Sequence, residues 1–156
     1  MTSIDTGIGP MPTQAQEPDA IEELTITVLG VPVPQGSKKG FVKGKRAVIV
    51  DDNAAVLKPW RKKVRTAAAF VLAGRPGIPR QVPAFAHLFF YMPRPASVKR
   101  GRPSVKPDVD KLTRAVLDAL TDAGVWADDS QVVDLHAHEY YSDGEPYVTI
   151  RVGVIA

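Results

Sequence analysis

The chain contains no cysteine, and this absence removes several classes of chemistry. Without thiols there is no disulfide, no thiolate zinc site and no cysteine nucleophile. No apolar run approaches the roughly 18 residues that a membrane-spanning helix needs, and the first residues lack the basic and apolar regions of a secretory signal. We therefore expect a cytoplasmic protein without a membrane partner.

The remaining composition is that of an ordinary globular domain. The 156 residues are 44% hydrophobic and 24% charged, which suits a single hydrophobic core. Residues 1–22 are rich in Pro, Gly, Thr and Gln and have no periodicity, which predicts a disordered N-terminal tail. The folded domain is then expected to span residues 23–156.

Positive charge is concentrated in two blocks of the chain. The net charge of +3 includes an acidic segment, residues 1–23, with five acids and no base, so the remainder carries +8. Residues 33–65 contain ten Lys or Arg, and residues 94–114 contain seven more. Such concentration is typical of proteins that bind nucleic acid, although a solvated basic face accounts for the charge equally well.

Hydrophobic periodicity predicts alternating strands and helices. Residues 24–31 alternate as a first strand, a glycine-punctuated hairpin follows, and residues 84–92 form an apolar run typical of a central strand. Helical spacing predicts a helix over residues 54–73, with Asn53 as its N-cap. The expected core positions of this helix are Val56, Trp60, Val64, Ala67 and Val71.

A second helix follows Asp108, and its expected core positions are Val109, Leu112, Val116, Ala119 and Leu120. The chain then forms a strand, turns at residues 142–144 and closes a β-hairpin. The predicted fold class is α+β, with a mixed β-sheet backed by two main helices.

Four aspartates surround this second helix. Asp108 and Asp110 open it, and Asp128 and Asp129 follow the turn after it. Acids near a helix start often only satisfy free N–H groups, and the later pair could be a solvated turn. If the fold brings the pairs together, however, two carboxylates about 6 Å apart repel by about 3 kcal/mol at an effective dielectric near 20. The cluster therefore favours a hard divalent cation, Mg²⁺ or Mn²⁺.

Other side chains near the acids have competing interpretations. Arg114 either forms an i,i+4 ion pair or holds a scissile phosphate beside a metal, and Asp118 is interpreted as a structural brace for it. Trp126 is expected to anchor the turn in the core. His136 and His138 alternate onto one strand face, and without any cysteine to join them we interpret them as surface residues.

The segment KPDVDKLTRAVLDALTDAGVWADDSQVV, residues 106–133, resembles the RusA family of Holliday junction resolvases, metal-dependent endodeoxyribonucleases of phages and bacteria. It has the family's D-x-D, a helix ending in D-A-L, and a hydrophobic residue before D-D. A softer similarity is GVPVPQGSKKGF followed by WRKKV. Together the two segments span about residues 24–152.

This resemblance implies a RusA-like fold, a homodimer and a metal site in each subunit. Asp108, Asp110 and Asp129 match the positions that bind the catalytic Mg²⁺, with Mn²⁺ as an alternative ion, and Asp128 is the spare acid. Arg114 is the remaining catalytic candidate, at a position where some members carry an essential lysine. Lys111 replaces an asparagine that is common after the second Asp.

The implied function is Mg²⁺-dependent cleavage of four-way (Holliday) DNA junctions, in recombination, repair or phage DNA processing. A non-catalytic junction-binding module and a nuclease acting on other branched DNA remain alternatives. Selected basic residues from both blocks would contact phosphates, and such contacts position the protein rather than read sequence. The expected DNA-binding residues are Lys38, Lys39, Lys43, Lys45, Arg46, Arg100, Arg102, Lys106 and Lys111.

Overall fold

The described residues form strands and helices in the order that the sequence predicts. The computed structural model describes residues 21–36, 38–51 and 53–155, and within 38–43 and 46–51 it describes the backbone alone. The strands are β1 Glu23–Leu29, β2 Lys38–Lys43, β3 Arg46–Asp51, β4 Ala84–Met92, β5 Val132–Tyr141 and β6 Tyr147–Val154. The helices are α1 Ala54–Leu72 and α2 Val109–Asp122, and a 3₁₀ turn, Asp129–Gln131, precedes β5.

Strand β4 lies inside a mixed four-stranded sheet of order β1-β6-β4-β5. It pairs antiparallel with β6 and parallel with β5. The predicted hairpin between the last two strands is therefore wrong, because β4 lies between them. An apolar strand that is buried can pair on both edges, whereas the exposed, charged β5 is typical of an edge strand. The predicted hairpin after β1 is confirmed as the separate β2–β3 pair.

Strands β4 and β5 are joined through α2 as a β-α-β unit. Parallel neighbours cannot be joined by a tight turn, so the chain crosses through a loop, residues 93–108, and then α2. The helix consequently runs opposite to both strands. Both acidic pairs, one before α2 and one after it, end up on the helical side of the sheet.

The hydrophobic core lies between this sheet and the two helices. Alternate residues of β4 are buried against the helices, namely Ala84, Ala86, Leu88, Phe90 and Met92. The buried residues of α1 are Leu57, Trp60, Val64, Ala68 and Leu72, and those of α2 are Leu112, Thr113, Ala115, Val116, Ala119 and Leu120. No helix in the described ranges is long and apolar enough to cross a membrane.

Two apolar positions that were expected in the core lie at the surface instead. Val56 is 57% exposed and Val109 is 36% exposed. Both stand in the first turn of a helix. The buried residues of α1 include Trp60 and Val64, as predicted. At the other three positions the buried residue is the one that follows the predicted residue, namely Leu57, Ala68 and Leu72.

Asn53 stands at the N-cap position of α1, but its side chain makes no capping hydrogen bond. Its amide nitrogen Nδ2 instead donates to the carbonyl of Pro34 at 2.7 Å. The predicted N-cap position is therefore confirmed, without a capping hydrogen bond from the side chain. The amide joins the start of α1 to the segment that follows β1, and that segment borders the acidic site described below.

Packing begins before β1. Ile21 is 3% exposed, and the carbonyl of Glu22 accepts a hydrogen bond from the Val154 N–H at 2.9 Å. The earlier part of the predicted tail lies outside the described residues, so its disorder stays a prediction.

The turn that leads to the second acidic pair is held by a close backbone contact. The Ile78 N–H donates to the carbonyl of Val125 at 2.7 Å. Trp126 is 2% exposed, which confirms it as a core anchor, and its Nε1 donates to the Thr121 hydroxyl at 2.8 Å. A Cβ placed on Gly77 would meet backbone atoms of this turn well inside contact distance. Glycine therefore allows the connector and the turn to approach each other.

Replacing Gly77 by alanine should destabilise the protein, because the new Cβ must push the connector away from the turn. Overpacking of this kind costs about 1–3 kcal/mol. Circular dichroism melts should show a Tm lower by several degrees. The control is Gly101→Ala, where an added Cβ has nothing within 4 Å and the Tm should barely change. Equal Tm values for the two variants would contradict the close contact.

Candidate active site

Helix α2 presents a row of charged side chains to one cavity of about 610 Å³. Asp110, Arg114 and Asp118 follow one another at i, i+4 and i+8, so they lie on one face of the helix across about 12 Å. Asp129 lines the same cavity from the turn before β5. The other lining residues are Gln35, Gly36, Thr113, Leu117 and Leu135.

Asp129 is presented to this cavity by a tightly hydrogen-bonded turn. Its neighbour Asp128 is the N-cap of the 3₁₀ turn and accepts a hydrogen bond from the Ser130 N–H at 2.9 Å. Gln131 completes a capping box, because its Oε1 accepts from the Asp128 N–H at 3.1 Å. Asp128 thus has a structural task, which leaves Asp129 as the acid that faces the cavity.

Gln131 also fixes this turn to the rest of the molecule. It is buried, and its Nε2 donates to the carbonyls of Pro79 at 2.8 Å and Val82 at 3.1 Å. One amide therefore joins the acidic turn to the connector that leads into β4. Its position three residues after Asp128 is the sequence signal of a capping box, which would have identified this residue.

The two acids of the turn have opposite pKa shifts. The hydrogen bond from the Ser130 N–H lowers the pKa of Asp128. Partial burial, followed by the negative charges of Asp118 and Asp128, raises the pKa of Asp129, and only the charge of Arg114 opposes this. Negative charge in the cavity therefore exceeds what one guanidinium offsets, and a bound cation would relieve the excess.

Asp108 faces a second, neighbouring cavity of about 810 Å³. It stands at the N-cap position of α2 but makes no side-chain capping bond, so its carboxylate is not used for capping. Glu139 and Lys111 line this cavity with it. The two cavities share Gln35 and Gly36 as lining residues, so they adjoin at this point of the chain.

Glu139 is an acidic residue that the sequence interpretation missed. Its Oε2 is buried and has no hydrogen-bond partner among the described residues. Burial first, and then the negative charge of Asp108, raise the pKa of Glu139 from 4.5 to about 7. The signal was available, because alternation along β5 from Leu135 predicts that Glu139 lies on the same, helix-facing side of the strand.

The segment between the cavities is held against the start of α2. The Gln35 N–H donates to the carbonyl of Lys111 at 2.9 Å, and the carbonyl of Pro34 accepts the Asn53 amide. These two bonds anchor both sides of the Pro34-Gln35 peptide. The backbone at Gly36 is thereby kept next to the acids, in the glycine-bearing segment that precedes β2.

The predicted site residues are brought together in part. Asp110, Arg114 and Asp129 line one cavity, and Asp108 lines the adjoining one. The three carboxylates do not all lie within 4.8 Å of one another. The predicted brace is wrong, since Arg114 and Asp118 form no ion pair in the part of the chain that the structure describes.

The donor set suits a hard divalent cation. The acidic side chains that line the two cavities offer carboxylate oxygens, which are the ligands that Mg²⁺ and Mn²⁺ prefer. Mg²⁺ keeps several of its bound waters. Carboxylates that are too far apart to bind the ion directly can therefore still hold it through hydrogen bonds to these waters. The buried, unpartnered oxygen of Glu139 is a further donor beside Asp108.

Two of the predicted DNA-binding arginines are held by tyrosines at the end of β5. Arg102 donates to the Tyr140 hydroxyl at 2.8 Å and lies 4.4 Å from the centroid of that ring. Arg100 donates to the Tyr141 hydroxyl at 3.2 Å. A guanidinium stacked on an aromatic ring keeps its outward N–H groups available for phosphate.

The other basic residues divide into three groups. Lys106 and Lys111 line the cavity that contains Asp108, so positive charge borders the acids directly. Lys45 is exposed in the turn between β2 and β3. The remaining predicted DNA contacts have side chains outside the described part of the structure, and they are Lys38, Lys39, Lys43 and Arg46.

Glu139 should make the stability of the metal-free protein depend on pH. Between 4.5 and about 7 the folded state retains a proton that the unfolded state releases, so stability is lost as the pH rises through this window. Glu139→Gln cannot ionise. In EDTA at pH 8 it should be more stable than the wild type by roughly 1–2 kcal/mol, after allowance for solvent screening.

This advantage should disappear below about pH 4.5, where the wild-type carboxyl is protonated in both states. Urea unfolding at the two pH values measures the difference. Glu145→Gln is the control, because Glu145 is exposed and should give no pH-dependent gain. If Glu139→Gln were no more stable to urea than the wild type at pH 8, the raised pKa of Glu139 would be contradicted.

Comparison with known proteins finds similarity over most of the chain. A family model described as "Endodeoxyribonuclease RusA" matches residues 30–153, which include both cavities and the basic loop. The chain is also 32% identical over 141 residues to a Bacillus subtilis (strain 168) protein with the name "Uncharacterized protein YqaN". That similarity covers 83% of this chain and 94% of the relative.

Proposed function

The chain belongs to the RusA family of endodeoxyribonucleases, and on this premise we propose that it is a Mg²⁺-dependent nuclease that cleaves four-way DNA junctions. The observation that carries the proposal is the cavity in which Asp110, Asp118 and Asp129 meet Arg114. An excess of carboxylates bordered by lysines and arginines suits a metal ion that meets a polyanion. We expect the protein to act in the cytoplasm of a bacterial cell.

Asp108, Asp110 and Asp129 would hold the cation, with Asp118 and Glu139 as additional oxygen donors. A bound Mg²⁺ or Mn²⁺ would supply Lewis acidity at the phosphate and lower the pKa of a bound water. Ionised Glu139 is disfavoured in the metal-free cavity and becomes favourable beside a cation. The same argument applies to Asp129, whose pKa is also raised.

Arg114 would orient the scissile phosphate. Its guanidinium lines the cavity with Asp129 and forms no ion pair with any residue that the structure describes, so its N–H groups can bind a phosphate oxygen. A guanidinium stays protonated throughout, so it holds negative charge and transfers no proton. Protonation of the leaving oxygen then falls to water or to another group.

The basic loop and Lys111 would position the DNA backbone over the cavities. Arg100 and Arg102 already stand in fixed orientations on Tyr141 and Tyr140, which lowers the entropy lost on binding a phosphate. Contacts to phosphate carry no sequence information. Selection of a four-way junction would therefore come from its shape.

A two-fold symmetric dimer would suit such a substrate. A four-way junction has approximate two-fold symmetry, so a C2 pair of subunits can offer two equivalent cavities to two strands. Size-exclusion chromatography with light scattering would then give twice the mass of the chain. A monomer that still cleaves both strands would exclude this arrangement.

Cleavage of the junction should depend on Asp110. Asp110→Asn removes one charge from the cavity and should reduce cleavage of a four-way junction in Mg²⁺ by about a thousandfold or more, while DNA binding is retained. The measurement is a gel assay under single-turnover conditions.

Asp122→Asn is the matched control for this assay. Asp122 lies on the same helix, outside both cavities, where it pairs with Arg61 at 2.9 Å. It should cleave at nearly the wild-type rate. Undiminished cleavage by Asp110→Asn would overturn the proposed site.

The same assay separates the alternatives. A non-catalytic junction-binding module would bind without metal and leave every strand intact at any Mg²⁺ or Mn²⁺ concentration. A nuclease for other branched DNA would cut flaps or three-way forks faster than four-way junctions. The excess of carboxylates near Arg114 favours catalysis over the binding module, because those acids weaken DNA binding unless a cation offsets them.

Binding should weaken steeply with salt, and Arg102 should contribute one phosphate contact. Arg102→Ala should weaken junction binding and reduce the slope of log K against log salt by about 0.9. Fluorescence anisotropy at several salt concentrations measures the slope. Lys62→Ala is the control, since Lys62 lines a different cavity, next to α1 and β1, and should leave the slope unchanged. A loss of slope in both variants would contradict the predicted surface.

A further inference from the structure

The sheet carries a second cluster of potential metal ligands, on the face turned away from the helices. Side chains alternate along a strand, so His87 of β4 points opposite to the buried Ala86 and Leu88. On β5, Asp134 and His136 flank Leu135, which lines the acidic cavity. The cluster therefore lies on the other side of the sheet from the acidic cavity.

The register of the sheet brings these three side chains together. His87 and His136 are direct partners in the parallel β4–β5 pair, and their ring centroids are 4.7 Å apart. Oδ1 of Asp134 lies 3.0 Å from Nε2 of His136. One ligand atom from each of the three residues lies within 4.8 Å of the other two.

These separations need little change to accept an ion. Zinc bonds of about 2.0 Å in a tetrahedron place neighbouring ligand atoms about 3.3 Å apart. The pair on β5 is already near that spacing, and rotation of the exposed His136 ring can adjust the rest. A fourth position would remain open for water or another ligand.

An independent observation also points to a ligand. Nε2 of His87 is buried and has no hydrogen-bond partner among the described residues. Buried polar atoms are normally satisfied, so an orphaned imidazole nitrogen next to a histidine–aspartate pair calls for a physical explanation. A coordinated ion between the strands would supply the missing partner.

We propose that His87, Asp134 and His136 form a binding site for a divalent transition metal, with Zn²⁺ as the expected ion. Two imidazoles and one carboxylate are typical zinc ligands, and Mg²⁺ binds such a set poorly because it prefers oxygen. The chain would then have two kinds of metal site that discriminate by ligand chemistry. The sequence pattern paired His136 with His138 on one strand. In the structure the histidine that would share a metal ion with His136 is His87, on the adjacent strand.

The site would connect the edge strand to the interior of the sheet. β5 has a hydrogen-bonded neighbour on one side only, and it carries Leu135 and Glu139 toward the acidic cavities. An ion bound by side chains of both β4 and β5 would hold β5 against β4 on the face of the sheet that is turned away from the helices. The proposal does not depend on nuclease activity, because its readouts are metal binding and stability.

The experiment is a Co²⁺ titration of the full-length protein in excess Mg²⁺, with Zn²⁺ used for competition. Mg²⁺ occupies oxygen sites and competes poorly for imidazole. The wild type should bind one equivalent of Co²⁺ with visible d–d absorption that Zn²⁺ abolishes. His136→Ala should bind at least tenfold more weakly, and it should fold normally since this side chain is 59% exposed.

His138→Ala is the matched control. His138 lies on the same face of β5 but stacks on Phe89, with ring centroids 5.1 Å apart, outside the cluster. It should bind Co²⁺ like the wild type. At a hundredfold excess over the wild-type Kd, Zn²⁺ should raise the Tm of the wild type and of His138→Ala by roughly 5–10 °C. It should raise the Tm of His136→Ala by at most about half as much.

Nuclear magnetic resonance can identify the ligands directly, because the chain has three histidines. One equivalent of Zn²⁺ should shift the imidazole signals of His87 and His136 and leave that of His138 in place. Binding of Co²⁺ by His136→Ala with wild-type affinity would overturn the proposal. So would equal shifts of all three histidines, or binding that requires millimolar metal.

Discussion

The position of every candidate catalytic group depends on the parallel pairing of β4 with β5. Because parallel neighbours need a crossover, α2 must lie over the sheet and run against both strands. Its first turn, with Asp108 and Asp110, then lies near the end of β5, where Glu139 stands. Its other end is followed by the turn that carries Asp129. A hairpin between β5 and β6, as the sequence suggested, would have removed this arrangement.

The acids that the crossover collects are not balanced by the protein alone. The pKa of Asp129 and that of Glu139 are both raised, with burial as the first cause and neighbouring aspartates as the next. Arg114 opposes this at one position only. The metal-free protein therefore stores unfavourable electrostatic energy in the two cavities, and a divalent cation is the simplest species that releases it. The hydrogen bonds of Gln131 and the close approach at Gly77 hold the chain between α2 and β5 against the connector that leads into β4.

The sequence predicted the order of elements because each strand and helix has a clear local period. It predicted the acidic motif and Trp126 for the same reason, since both depend on residues close together along the chain. It predicted β4 as a central strand, which is confirmed, but not that β6 and β5 are its neighbours, because that pairing depends on contacts between distant segments. Glu139 and His87 were missed because each gains its importance from a residue on another element. Asn53 is the N-cap as predicted, but the partner of its side-chain amide, the carbonyl of Pro34, lies far away along the chain and was not predicted.

The most direct test of the account is the location of bound Mn²⁺ in crystals of the metal-soaked protein, by anomalous scattering. The account predicts a peak in the acidic cavities, with oxygen ligands from Asp110 and Asp129 and from Asp108 directly or through water. A protein that shows no manganese in these cavities at saturating concentration, while its carboxylates are ordered and unobstructed, would contradict the account.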